Sequence, residues 1–272
     1  MAYRSLGPVV RLALVAPLIL AAAGAHAGVG DLLVAPTRVV LNGSRGTEII
    51  LNNIGDDVAT YRISAELRRM TPEGKLVDVE VANDKEKLAQ EMILYAPRKV
   101  TLPPHQPQAI RLSARAPAGL PDGEYRVHML FRAIPDAKPV AAPAKKTEGV
   151  SFQLRPIYGV TIPIIVRFGN LEAKAALSNV RKVMDGGKPA IALDISRDGN
   201  RSTFGEIKVF KGTTPIAMAG GIAVYTEVGQ RSVTVPIDPA QLANASGPVT
   251  VQYVEPTDTG PVTIAETSAV LR

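Results

Sequence analysis

Residues 149–168 read Gly-Val-Ser-Phe-Gln-Leu-Arg-Pro-Ile-Tyr-Gly-Val-Thr-Ile-Pro-Ile-Ile-Val-Arg-Phe, and this stretch decides the fold. Val150, Phe152 and Leu154 alternate with Ser151, Gln153 and Arg155, the period of two expected of a strand with one apolar face. From Ile162 to Val166 the chain is almost continuously apolar, as in a strand buried on both faces. Pro163 interrupts that run. A proline cannot donate to a ladder, so one side of this strand is expected at an edge or a bulge. The preceding segment, residues 135–148, is too rich in Pro, Ala and Lys to pack well. A long apolar strand with a free edge is an aggregation hazard unless the edge is used. The pattern alone fits two readings, an ordinary core strand or a strand lent to another protein.

Working outward, the rest of the chain reads as strand after strand. Residues 32–41, 47–53, 59–67, 76–81, 99–102, 108–114 and 124–134 are short, rich in Val, Ile, Leu and Thr, and separated by turn residues such as Asn42-Gly43 and Asp122-Gly123. With the strand from Val150 they make about eight, enough for an immunoglobulin-type sandwich. Only residues 83–91 have helical composition. After Phe168-Gly169-Asn170 a second set follows, at 176–183, 190–197, 205–210, 222–225, 231–237, 249–254 and 262–271, with Gly220-Gly221 among its punctuating pairs. The expected architecture is all-β, with two immunoglobulin-like sandwiches spanning residues 28–168 and 169–272.

Residues 1–27 read as a cleavable export signal. Arg4 and Arg11 supply the positive charge, residues 12–23 are apolar, and Ala25-His26-Ala27 suits cleavage. The apolar stretch is short of the roughly 20 residues a membrane span needs. The remainder carries 29 basic against 25 acidic residues, scattered in sign, a balance that does not argue for nucleic acid. The absence of cysteine excludes thiol catalysis and cysteine-based metal sites, and leaves an exported chain to stand on its hydrophobic cores. His105 and His128 stand alone, without the carboxylate clusters of a metal or acid–base site, and no nucleophile elbow or phosphate loop occurs. The reading is therefore of a protein that is not an enzyme and takes no cofactor or metal.

One residue stands out. Arg38 lies in the apolar stretch Leu-Leu-Val-Ala-Pro-Thr-Arg-Val-Val-Leu of residues 32–41. Either it faces outward from an alternating strand, or it lies in a cleft between two sandwiches, where its fork of donors can hold a carboxylate.

At this point the sequence resembles the periplasmic pilus-assembly chaperones of chaperone–usher systems. The resemblance rests on Pro-Thr-Arg-Val-Val-Leu-Asn-Gly at 36–43 and Ala-Pro-Arg-Lys-Val-Thr-Leu-Pro-Pro at 96–104. Residues 123–135 and 158–167 follow in the family's order, and 223–227 with 231–237 look like its late hairpin. It implies two immunoglobulin-like domains set at an angle, pilus or fimbrial subunits and an outer-membrane usher as partners, a periplasmic location, and client binding by strand donation. By matching position, Arg38 takes the part of the arginine that grips a subunit's terminal carboxylate. The family's lysine partner is missing from the last strand of the first domain, where Arg155 and Arg167 are the nearest cations. Val150, Phe152 and Leu154 are the implied donor side chains. The competing reading is a secreted structural or adhesive sandwich protein that hands over no client.

Overall fold

In this computed structural model, residues 32–43, 45–135 and 157–272 are described, and strands dominate them. The export signal and the donor positions Val150, Phe152, Leu154 and Arg155 lie outside the described residues. The first half stacks two sheets. One orders β1 (Leu32–Ala35), β3 (Thr47–Asn53), β9 (Pro107–Ala114) and β7 (Ile93–Ala96). The other orders β2 (Val39–Asn42), β11 (Gly159–Phe168), β10 (Gly123–Ile134), β4 (Ala59–Glu66) and β8 (Lys99–Leu102). Alternation fills the space between them. Tyr125, Val127, Met129 and Phe131 point inward from β10 against Ile49, Leu51, Ile110 and Leu112 of the facing sheet. Each such burial stabilises the fold by roughly 1.5–3 kcal/mol.

Strand β11 is buried on both faces, as its apolar run implies. Ile162, Ile164 and Val166 enter the first core, while Ile165 enters the core of the second half. It pairs antiparallel with β10 along its whole length, but parallel with β2 only from Ile164 to Arg167. Pro163 stands one residue before that pairing begins. Among the described residues, no strand pairs with residues 159–163 on the side away from β10.

The single strand expected over residues 32–41 is divided. Chain β1 pairs with β3 in one sheet and β2 joins β11 in the other, so the backbone changes sheets across residues 36–38. Pro36, with no N–H to give, suits the break. Arg38 therefore sits in a crossing between sheets, a position that strand alternation does not anticipate. The helical composition at 83–91 appears as α1 (Asp84–Met92). Asn83 caps it in a reciprocal box, accepting from the Glu86 amide while the Glu86 carboxylate accepts from the Asn83 amide.

The second half also stacks two sheets, β12 (Ala173–Asp185), β13 (Lys188–Gly199) and β16 (Gln230–Pro236) against β15 (Thr214–Val224), β14 (Thr203–Lys211), β17 (Gly247–Thr257) and β18 (Gly260–Leu271). Its core gathers Ile191, Leu193, Ile195, Ile207, Val209, Val251 and Tyr253. Gly220-Gly221 does not end a strand. The register passes from Gly205 opposite Ile222 to Ile207 opposite Ala219, so two glycines face the one residue Glu206 in a bulge, with Gly221 at φ 71°. The strand expected at 222–225 is thus the end of a much longer one.

A short hairpin of β5 (Arg68–Met70) and β6 (Leu76–Asp78) leaves the first half and leans on the second. Met70 is buried in the second core and Ser232 donates its amide to the Pro72 carbonyl at 2.8 Å. The two halves are fixed to each other by this hairpin and by the cleft between them.

Candidate functional site

Strand β10 builds one wall of the cleft. With Tyr125, Val127 and Met129 committed to the core, the period of two turns Glu124, Arg126 and His128 to the opposite face, toward the second half. The crossing before β2 adds Arg38, and β11 adds Arg167. The second half contributes Ser202 and Phe204 at the start of β14, and Tyr225 and Glu227 just after β15.

At the centre lies a buried ionic network. Glu124 is 2 % exposed and Ser202 fully buried. The Glu124 Oε2 accepts from the Ser202 amide at 3.1 Å, from the Ser202 hydroxyl at 2.8 Å and from Arg167 Nε at 3.2 Å. Arg167 Nη2 also donates to the Ser202 carbonyl at 3.3 Å. Removing one member of such a network strands a charge away from water and costs about 3–5 kcal/mol. Arg167, a candidate anchor from the sequence, thus spends one donor on Glu124 within the first half and another on the Ser202 carbonyl across to the second.

Arg38 lies beside this network, its guanidinium 4.5 Å from the centroid of the Phe204 ring. Its Nη2 donates to the Ser202 hydroxyl over 3.4 Å, while Nη1 is buried without a partner among the described residues. Burial lowers its pKa, an effect opposed by Tyr225 and Glu124. Of the three anchor candidates, Arg38 has a buried nitrogen without a partner among the described residues, Arg167 is engaged by Glu124 and Ser202, and Arg155 lies outside the described residues.

A second cluster flanks the first. Arg126 binds Glu227 through two contacts, at 2.5 and 3.1 Å, and gives a further hydrogen bond to the Arg68 carbonyl at 3.0 Å. Glu227 in turn accepts from the Met70 amide at 2.8 Å, which ties in the hairpin. The Arg126 guanidinium stacks 3.6 Å from the centroid of the Tyr225 ring, and His128 meets the same ring edge-on at 6.2 Å. His128 is 1 % exposed, and neither ring nitrogen has a hydrogen-bond partner among the described residues. Burial, with the charges of Arg126 and Arg68, lowers its pKa to about 3, so the imidazole is neutral. The isolated histidine read from the sequence is a packing residue of the cleft wall.

Sequence reasoning singled out Arg38 and missed Glu124, Ser202, Tyr225 and Glu227. A signal for Glu124 was present, since a carboxylate followed by arginine and histidine at every second place of an apolar strand marks a polar face. Nothing in the sequence linked that face to Ser202 and Glu227, which lie 78 and 101 positions from the residues they meet on it. Among the described residues no cluster of three or more His, Asp or Glu could hold a metal ion, and no helix is long and apolar enough to cross a membrane.

No protein-family model matches this chain, and no curated protein sequence matches it. Solved structures of chaperone–usher pilus chaperones do match over most of its length. The SafB chaperone of Salmonella enterica, solved with the SafA pilin, is 16 % identical, with 90 % of this chain and 98 % of that chain covered and a TM-score of 0.46. The E. coli chaperone DraB is 15 % identical over 89 % of this chain and 97 % of its own, TM-score 0.46. CsuC of Acinetobacter baumannii, solved with the CsuE tip subunit, is 15 % identical over 88 % of this chain and 97 % of that one, TM-score 0.43.

Proposed function

We propose that this protein is a periplasmic chaperone that holds pilus or fimbrial subunits with incomplete sandwiches and delivers them to an outer-membrane usher. The observation that carries the reading is an unfilled strand edge beside an under-bonded cation. Among the described residues, residues 159–163 of β11 pair on one side only, and the buried Nη1 of Arg38 in the cleft meets no acceptor. An extended client segment completes the edge with main-chain hydrogen bonds, and its terminal carboxylate reaches Arg38. Val150, Phe152 and Leu154, whose alternation comes from the sequence, supply the side chains that fill the client's apolar groove. Export by residues 1–27 places the protein where such fibres are built. Binding without chemistry follows from this role, so the protein is not an enzyme.

The test is recovery of subunits from the periplasm with the tagged protein. Phe152→Asp with Leu154→Asp abolishes recovery while the chaperone stays folded, and Arg38→Ala reduces it strongly. Undiminished recovery with the double variant removes this strand as the donor, and normal recovery with Arg38→Ala removes the anchor.

A further inference from the structure

A cavity of about 190 Å³ opens where α1, the start of β10 and the segment after β15 meet, and the described residues that line it include neither Arg38 nor any part of β11. Its ionised lining is balanced, with Arg68, Lys85 and Arg126 against Glu86, Glu124 and Glu227. Most of these groups are spent on the protein itself. Glu86 accepts from Arg69 and from the Asn83 amide, Glu227 accepts from Arg126 and from the Met70 amide, and Arg68 donates to Glu66 at 3.1 Å. Two atoms are not. Glu124 Oε1, an acceptor, and Arg126 Nε, a donor, are buried without a hydrogen-bond partner among the described residues. Native proteins seldom leave such atoms unmet. Glu124 and Arg126 lie two residues apart on one face of β10, so their Cα atoms are roughly 7 Å from each other. Leu67, Ala89 and Tyr125 give the cavity an apolar wall, and exposed Lys85 holds its ammonium 5.3 Å from the centroid of the Tyr125 ring.

We infer that this cavity binds a neutral, hydroxyl-rich molecule the size of one sugar ring. A hydroxyl both donates and accepts, whereas the unmet groups here are one of each kind. One hydroxyl gives its proton to Glu124 Oε1, another accepts from Arg126 Nε, and a third accepts from Lys85. A plain anion would set a like charge against Glu124 Oε1, and a plain cation would set one against Arg126 and Lys85. A neutral ligand avoids both and suits a lining whose charges already cancel. The apolar wall takes the C–H face of the ring. The cavity is smaller than the roughly 300–1,000 Å³ of drug-sized sites, which limits the occupant to a single ring. Seated there, it joins α1 and β10 of the first half to Thr226 and Glu227 of the second. The site is separate from the client edge and does not depend on the chaperone reading.

The experiment titrates the isotope-labelled full chain with glucose, with glucuronate and with glucosamine, which share one ring and differ in charge. Amide chemical shifts give both the location and the affinity. Glucose is expected to bind in the millimolar range and to move the amides of residues 85–89, 124–126 and 226–227, with the charged rings several-fold weaker. Lys85→Met keeps the side-chain stem and removes the ammonium, and should weaken glucose by about tenfold, the scale of a hydrogen bond to a charged group. Arg38→Ala should leave glucose binding unchanged, and Lys85→Met should leave subunit recovery unchanged, so failure here and failure of the client anchor are read separately. The proposal is overturned if no saturable shifts appear, if they lie away from these residues, if glucuronate or glucosamine binds more tightly than glucose, or if Lys85→Met binds glucose as the wild type does.

Discussion

His128 makes the stability of the first half depend on pH in a way that can be isolated. In the unfolded chain its imidazole titrates near 6.5, whereas in the cleft burial and the neighbouring Arg126 and Arg68 lower it to about 3. The native state thus keeps the ring neutral where the unfolded chain binds a proton. Above pH 6.5 neither state is protonated and the group contributes no pH dependence. As the pH falls below 6.5 the unfolded state gains protons and stability is lost, up to the point near pH 3 where the native ring charges as well. Each pH unit within this window costs about 1.4 kcal/mol. From pH 7 to pH 4.5 the loss is roughly 2–3 kcal/mol, and since 4.5 lies well above the native value, its size is set by the unfolded state.

The variant His128→Leu removes this dependence while keeping an apolar side chain of similar size against Tyr225. At pH 7 it should be no less stable than the wild type, because two buried nitrogens without partners disappear with the ring. Urea unfolding followed by far-UV circular dichroism at pH 7 and 4.5 gives the four free energies needed. Glu86 and Asp194, whose carboxyls titrate low because of hydrogen bonds to Arg69 and to Asn179 and Ser232, destabilise both proteins alike on acidification. The excess loss in the wild type is expected to be about 2–3 kcal/mol. Parallel pH dependence in the two proteins would refute the reasoning, since it would mean that His128 is free to take up a proton in the folded state.

Three other outcomes follow from the geometry. Glu227→Ala leaves Arg126 and the Met70 amide without their acceptor and should destabilise by about 3 kcal/mol, with limited proteolysis appearing first in residues 68–78. Gly205→Ala drives a Cβ into the Val254 carbonyl oxygen, a backbone collision, and thermal melting should show the second half strongly destabilised. Asn83→Ala removes the side-chain acceptor of the Glu86 amide, while the backbone N–H of residue 83 can still donate to Glu86, and should lower stability by about 1 kcal/mol in the same urea assay, with subunit recovery unchanged.

The all-β architecture was legible because alternation reports burial directly, and β10 and the second half's long strands carry it plainly. Other features were hidden for identifiable reasons. Strands β5 and β7, of three and four residues, are too short to show a period. Gly220-Gly221 has the composition of a turn, but a bulge and a turn call on the same conformational freedom, and only the register distinguishes them. For the candidate site, Arg38 was legible as a charge among apolar residues. Its surroundings were not, since alternation says which face a residue occupies and nothing about what stands opposite. Ser202 lies 164 positions from Arg38, and Glu227 lies 101 from Arg126.

The cleft residues also bear on how the halves are joined. A purely apolar seam would be at least as stable as the Glu124–Arg167–Ser202 network, because burying charges carries a desolvation penalty that the ion pair only partly repays. What an ionic seam adds is direction. Glu124 Oε2 is held by three donors from β11 and the start of β14, an arrangement that fits one relative placement of the two sandwiches. Apolar contacts at Ile165 and Met70 tolerate small sliding, whereas these hydrogen bonds do not survive it. Arg167 is spent on Glu124 and the Ser202 carbonyl, and Arg38 beside them keeps a buried Nη1 without a partner among the described residues.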